Sequence, residues 1–124
     1  MITFEKFYKT IAEAIGGHVT FDSHGEPRIS KGGRQVVWLQ GDDRPGSKLA
    51  DIGDLLNNAG RSYTRCYMGD DTDGSIFVWD NLSSDYDERE GQILIFHGKS
   101  LKAAIKRALA YNPFTDSKKF PIWD

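Results

Sequence analysis

Residues 18–40 have the sequence HVTFDSHGEPRISKGGRQVVWLQ. Three segments of this stretch are predicted as short strands, and they are His18–Asp22, Pro27–Ser30 and Arg34–Gln40. The linkers between them contain Gly25 and the pair Gly32-Gly33, which permit the positive φ of tight hairpin turns. The stretch therefore predicts an antiparallel meander, and we expect an antiparallel sheet at the centre of the fold.

Three amphipathic helices are predicted around this meander. The first spans Phe4 to Ile15, where apolar residues recur at helical spacing between a capping Thr3 and Gly16-Gly17. The second is predicted to begin at Ser47 and end at Gly60, with an apolar side formed by Leu49, Ile52, Leu55, Leu56 and Ala59. The third is predicted to begin at Ser100 and to end before Pro113.

A second group of strands is predicted between the second and third helices. It consists of Ser62–Met68, Ser75–Asp80 and Gln92–His97. The complete order is α-β-β-β-α-β-β-β-α, which predicts an α+β fold. We expect one domain over residues 1–124, with an antiparallel sheet of five to six strands and about three helices packed on one face. The other face of the sheet would then be exposed to solvent or available for binding.

The composition is that of a globular protein. Of 124 residues, 39% are hydrophobic and 27% are charged, and no apolar run approaches the 18 residues of a membrane span. The only cysteine, Cys66, cannot form an internal disulfide, so we expect it to be a buried apolar residue in a cytoplasmic protein. The tail, residues 112–124, is apolar enough that we expect it to pack back on the domain or, less simply, to dock on a partner.

Charge is distributed unevenly along the chain. Between Asp70 and Gly91 there are eight acidic residues and one base, Arg89, although the whole protein carries a net charge of only −2. Basic residues follow directly downstream, and they include Lys99, Lys102, Lys106 and Arg107. Such a reversal of sign indicates long-range attraction to a charged partner, because separated charges steer association.

We interpret the acidic stretch as a partner-binding surface. Exposed carboxylates would attract a basic surface of another protein, and aromatic side chains among them would add affinity. The predicted partner-binding residues are Asp70, Asp71, Asp73, Trp79, Asp85, Tyr86, Asp87, Glu88 and Glu90. They form two expected acidic projections, Asp70 to Asp73 and Asp85 to Glu90. The simpler alternative is that these charges only keep the protein soluble.

Metal binding and catalysis are both disfavoured by the sequence. Asp71-Thr72-Asp73-Gly74 is similar to part of a calcium loop, but alignment on Gly74 puts Gly69 at the first ligand position and Asp80 at the twelfth. Cys66 and His97 would meet only if their strands were adjacent. We therefore expect no enzyme activity, no metal site and no cofactor.

Most aromatic residues in the predicted strands are expected to lie in the core. Trp38, Phe77, Trp79 and Phe96 have this interpretation, with a base-stacking platform as the alternative. Tyr67 alternates with Cys66 and Met68, so it would lie on the opposite face of its strand.

Residues 47–111 resemble a double-stranded RNA-binding domain, through their predicted αβββα order and the segment Gly98-Lys99-Ser100-Leu101-Lys102-Ala103-Ala104 at the start of the last helix. The resemblance implies phosphate contacts by basic residues of that helix, here Lys99, Lys102, Lys106 and Arg107. The loop Asp70 to Asp73 would then approach the minor groove, where its carboxylates would repel phosphates.

Size and charge together favour a non-enzymatic protein-binding module. Small single-domain inhibitors, including immunity proteins and phage-encoded anti-defence proteins, block a basic surface in this way. Membrane association is not expected. The alternative function is nucleic-acid binding through the basic third helix.

Overall fold

The computed structural model describes residues 2–56, 65–81, 91–116, 120 and 122–123. The elements in chain order are α1 (Phe4–Ile15), β1 (His18–Phe21), β2 (Pro27–Lys31), β3 (Arg34–Gln40), β4 (Leu49–Asp51), α2 (Gly53–Leu56), β5 (Cys66–Asp70), β6 (Ile76–Asn81), β7 (Gln92–Gly98), α3 (Leu101–Ala110), α4 (Pro113–Asp116) and β8 (Ile122–Trp123). The predicted loop residues 82–90 lie outside the described residues.

The two long helices begin and end at capping residues that the sequence predicts. The Thr3 hydroxyl accepts a hydrogen bond from the Lys6 backbone N–H, and α1 ends at Gly16 in the left-handed conformation, with φ of 71°. Ser100 caps α3 in the same way, because its hydroxyl accepts from the Ala103 N–H at 3.1 Å. Both helices pack against the sheet through their apolar sides.

The eight strands of the described residues form one sheet, in which each strand pairs antiparallel with its neighbours in the chain. α1 contacts β1 and β2, α3 contacts β6 and β7, and the two helices contact each other. They therefore cover the same face of the sheet. The buried strand residues beneath them include Ile29, Val37, Leu39, Ala50, Met68, Val78 and Ile93.

The α+β class and the single antiparallel sheet are confirmed, but the sheet has more strands than the predicted five to six. One additional strand is β4, which occupies part of the predicted second helix. Leu49, Ala50 and Asp51 pair on one side with β3 and on the other with β5. Only the one-turn helix α2 follows, and the predicted helix end at Gly60 lies outside the described residues.

The apolar spacing from Leu49 to Leu56 fits a helix locally, but the chain here lies between two strands with unpaired backbone groups. Pairing with both satisfies those groups, and this tertiary requirement outweighs helical propensity. Ala50 then joins the core, while Leu49 and Asp51 point to the other face.

The second additional strand is β8, which pairs with Gln92 and Ile93 of β7. Before it, the Phe120 ring lies edge-on to Tyr111 with 5.6 Å between ring centroids. The guanidinium of Arg107 lies 4.6 Å from the centre of the same ring. These described parts of the tail therefore contact the rest of the domain.

Membrane-spanning helices were sought among the described residues. None of the helices there combines the length and the apolar character needed to cross a bilayer.

Candidate functional site

The face of the sheet opposite α1 and α3 carries two rows of aligned side chains, and we call it the open face. The first row crosses strands β2 to β7 and consists of Arg28, Trp38, Asp51, Tyr67, Trp79 and Leu94. The second row runs beside it and consists of Gln40, Leu49, Gly69, Phe77 and His97. This face thus combines aromatic residues with polar and charged ones.

Trp38 stands in the first row with 38% of its surface exposed. Its indole N–H donates to Asp54 Oδ2 at 2.9 Å. The guanidinium carbon of Arg28 lies 5.2 Å from the ring centre, which is a cation–π distance. Arg28 is itself paired with Asp22 at 3.1 Å and Glu26 at 3.4 Å. The Trp38 ring is therefore held by interactions with neighbouring side chains.

The other aromatic residues of the open face stack in pairs. Tyr67 and Trp79 have ring centroids 5.7 Å apart and planes inclined by 27°. Phe77 and His97 are nearly parallel, with centroids 4.2 Å apart. Stacking fixes the orientation of these rings while leaving them partly exposed.

Two clefts open on this face, and they share Gln40 and Leu49. The first cleft has a volume of about 480 Å³ and is lined by Leu49, Gly69, Phe77, Trp79 and the polar residues Ser47, Lys48, Asp70, Asp71 and Gln92. Gly69 helps to keep it open, since a Cβ there would lie 3.5 Å from the Trp79 ring and 3.0 Å from the Lys48 carbonyl oxygen.

A buried ion pair forms one end of the first cleft. Lys48 Nζ lies 3.2 Å from Asp70 Oδ2, and the two side chains are 2% and 3% exposed. Lys48 also donates to the carbonyl oxygens of Asp43 and Arg44, while Asp70 accepts from the backbone N–H groups of Gly46 and Lys48. The ion pair and these hydrogen bonds therefore connect the loop after β3 to the end of β5.

This pairing corrects the expectation that Asp70 belongs to an exposed acidic projection. Its carboxylate is engaged inside the protein and has no free surface to offer a partner. The reason lies in Lys48, which is distant in sequence and is brought to Asp70 by the pairing of β4 with β5.

The second cleft is smaller, about 230 Å³, and is lined by Glu26, Arg28, Trp38, Leu39, Gln40, Leu49, Asp51 and Tyr67. Asp51 lies between Trp38 and Tyr67 in the first row, and its Oδ1 accepts from the Gly53 N–H at 3.0 Å. Partial burial, together with the nearby charge of Asp54, raises the pKa of the Asp51 carboxyl. No basic side chain within the described part of the chain lies at ion-pair distance from it.

The remaining predicted partner-binding residues are only partly described. Asp71 and Asp73 are exposed in the turn between β5 and β6. Hydrogen bonds from the hydroxyl and backbone N–H of Ser75 lower the pKa of Asp73. Trp79 lines the first cleft. Asp85, Tyr86, Asp87, Glu88 and Glu90 lie outside the described residues.

The basic residues of the alternative function lie around α3. Lys102 and Lys106 are exposed. Lys99 Nζ donates to the Asp73 carbonyl oxygen at 3.0 Å, and Arg107 covers the Phe120 ring. Strand β4 occupies the predicted start of the first helix of this resemblance. In the described residues the order over 47–111 is therefore β4-α2-β5-β6-β7-α3, and the helix before the last three strands is only Gly53–Leu56.

The structure separates the two residues considered as a nucleophile pair. Cys66 is fully buried on the helix-covered face, where burial raises the pKa of its thiol well above the ordinary value. His97 is exposed and stacks on Phe77 at the open face. Within the described residues, no group of three or more histidine, cysteine or acidic side chains is arranged to hold a metal ion.

Sequence reasoning missed most of the open face, because it placed Trp38 and Phe77 in the core. Both residues lie in strands whose flanking positions are buried, namely Val37 and Leu39, and Ile76 and Val78. The alternation of side chains along each strand was the signal that could have placed Trp38 and Phe77 on the exposed face, since the two long helices cover only one face of the sheet. Hydrophobicity did not mark the buried face, because in β6 the charged Asp80 is buried. Its Oδ2 accepts a hydrogen bond from the Tyr111 hydroxyl at 2.7 Å.

Comparison of the chain with protein-family models, with curated proteins and with solved structures found no match.

Proposed function

We propose that this protein is a small non-enzymatic binding module, of the inhibitor or immunity kind, that engages a basic surface of another protein with its open face. The observation that carries the proposal is the pair of adjoining clefts, where Trp38, Tyr67 and Trp79 are partly exposed. Aromatic side chains near the centre of an interface contribute much of the binding energy when a partner covers them. The partly exposed aromatic residues of the open face therefore support a docking role.

Charge supports a basic partner. The carboxylates that line or adjoin the two clefts are Glu26, Asp51, Asp54 and Asp71. Two of the nearby bases are paired, Arg28 with Asp22 and Glu26 and Lys48 with Asp70. Two others, Arg34 beside Asp54 and Arg65 beside Tyr67, only partly offset the acidic residues. A surface with this excess of negative charge accelerates association with a positive one. Asp85, Tyr86, Asp87, Glu88 and Glu90, which lie outside the described residues, remain proposed partner-binding residues on the strength of the sequence alone.

The proposal is tested with two variants that add the same charge to the same strand. Gln40 is exposed and lines both clefts, whereas Gln35 is exposed and lines neither. The partner is captured from the native host, identified by mass spectrometry and purified. Its affinity is then measured for the wild type, Gln40→Lys and Gln35→Lys by biolayer interferometry.

We expect Gln40→Lys to weaken binding by about tenfold or more, because it puts a positive charge and a longer side chain at the junction of the clefts. Gln35→Lys should stay within about twofold of the wild type, as rim and remote charges do. Equal affinities for the two variants would show that the partner binds elsewhere.

A second candidate function is phosphate-backbone binding by α3, which the exposure of Lys102 and Lys106 favours. It predicts retention on immobilised duplex RNA or DNA at low salt, falling steeply as salt rises. The double variant Lys102→Glu/Lys106→Glu should abolish that retention. Failure of the wild-type protein to bind either duplex at low salt would eliminate this candidate.

A further inference from the structure

We propose that the second cleft receives one basic side chain, an arginine or a lysine of the protein partner, whose carbon chain lies between Trp38 and Tyr67 and whose cation meets Asp51. This inference rests on the proposed function and specifies the chemistry that the partner presents. It begins from the first row, in which the short Asp51 stands between two large aromatic residues.

The spacing of the strands makes room for such a side chain. Trp38 and Tyr67 lie on β3 and β5, with Asp51 on β4 between them. Two strand spacings amount to about 10 Å, and the aspartate side chain fills only the bottom of that space. The resulting cleft of about 230 Å³ is smaller than the usual ligand pocket of about 300–1,000 Å³, so it suits one side chain better than a free metabolite.

Both walls of the cleft are fixed before anything binds. The Trp38 indole N–H is held by the Asp54 carboxylate, and the Tyr67 ring is stacked on Trp79. An entering cation would gain a ring face and a carboxylate without having to order either. Arginine and lysine are the side chains that combine a long apolar stem with a cationic end.

The charge at the bottom of the cleft has no internal partner among the described residues. Asp51 receives a single hydrogen bond, from the Gly53 N–H. Arg28, the base nearest to it in the row, also lines the cleft, but its charge is paired with Asp22 and Glu26. A partly buried carboxylate without a cation is unfavourable, and binding a basic side chain would relieve that cost.

A nucleic acid would fit this cleft poorly. Its phosphates would approach Asp51 and the adjoining Asp54, whose negative charges form no ion pair among the described residues. A protein partner that presents a basic residue has the complementary charge and is therefore the proposed occupant.

The test uses two small probes that differ in charge but hardly in shape, Nα-acetyl-arginine amide and Nα-acetyl-citrulline amide. Each is titrated into the full-length protein, and the Trp38 indole N–H and Gly53 amide resonances are followed by NMR. We expect saturable shifts with the arginine probe and roughly threefold to tenfold weaker binding of the citrulline probe, the range for one cation–π contact plus an ion pair.

The matched variants are Asp51→Asn and Asp71→Asn, which make the same substitution at the second cleft and at the exposed turn. Asparagine keeps the acceptor for the Gly53 N–H, so Asp51→Asn removes the charge and leaves the hydrogen bond. It should abolish the preference for the arginine probe, and Asp71→Asn should retain it. The inference is overturned if the two probes bind equally to the wild type or if Asp51→Asn keeps the preference.

The captured partner separates failure of this inference from failure of the proposed function. Loss of affinity with both Gln40→Lys and Asp51→Asn supports both. Weakened binding of Gln40→Lys together with unchanged binding of Asp51→Asn overturns the inference and leaves the docking surface in place. Unchanged affinity of both variants, or a nucleic acid as the captured partner, overturns both.

Discussion

The two clefts of the open face adjoin each other, yet the carboxylates beside them are in different chemical situations. Asp70 meets a buried lysine and accepts two backbone N–H groups. Asp51, one strand away, accepts one backbone N–H and meets no base among the described residues. Acidic residues in neighbouring strands therefore have separate roles: Asp70 is compensated within the fold, whereas the charge of Asp51 has no basic partner among the described residues.

The largest expected effect is at Asp70. Replacing it in Asp70→Asn leaves the Lys48 ammonium buried without a counter-charge, which should lower the free energy of unfolding by about 3–5 kcal/mol. Urea denaturation followed by tryptophan fluorescence measures the change. The double variant Lys48→Met/Asp70→Asn should be less destabilised than Asp70→Asn alone, since it no longer buries an unpaired charge. If Asp70→Asn unfolds like the wild type, Asp70 is not the stabilising residue that the comparison makes it.

An intermediate effect is expected at Gly69, which distinguishes the clefts by shape. In Gly69→Ala the new methyl group meets the Lys48 carbonyl oxygen at 3.0 Å and the Trp79 ring at 3.5 Å. Overpacking of this kind should cost about 1–3 kcal/mol of unfolding free energy. NMR should show the Trp79 indole N–H resonance displaced and that of Trp38 unchanged. A displaced Trp38 resonance would mean that the two clefts are not independent.

Much of the fold could be predicted because its signals are local. Thr3 and Gly16 delimit α1, and Ser100 opens α3 through the capping interactions that their sequence positions suggest. Strand β4 could not be predicted in this way, because Leu49–Asp51 is extended only by virtue of the strands on either side. Its three residues carry no strand signal of their own that outweighs the helical spacing around them.

The same strand explains why the candidate site was largely missed. When Asp51 is assigned to a helix, its alignment with Trp38 and Tyr67 cannot be predicted. The second cleft, which depends on that alignment, cannot be predicted either. The sequence gives Trp79 two interpretations, a partner-binding residue and a core residue, and the structure places it partly exposed in the first cleft. Asp71 is exposed, as expected. Asp70 is predicted to be exposed together with Asp71, because nothing in the local sequence distinguishes two adjacent aspartates. Only the fold shows the difference, by placing Lys48 beside Asp70.

The smallest expected effect is at Asp51, and it has the opposite sign. The folded protein holds the pKa of this carboxyl above the ordinary 3.8, so folding favours its protonated form. That contribution to stability is complete below about pH 3.8 and is lost as the pH rises through the raised pKa of the folded state. Asp51→Asn removes the charge and retains the acceptor for the Gly53 N–H, so at pH 7 it should be more stable than the wild type by less than about 1 kcal/mol, because solvent screens a half-exposed carboxylate.

Urea denaturation at pH 3.5 and pH 7 measures this difference, and Asp71→Asn is the matched control for loss of one charge. If Asp51→Asn gains stability at pH 7 and loses affinity for the partner, Asp51 serves binding at the expense of the stability of the fold. If Asp51→Asn is instead less stable than the wild type at pH 7, Asp51 stabilises the fold as Asp70 does, and the proposed difference between the two carboxylates is wrong.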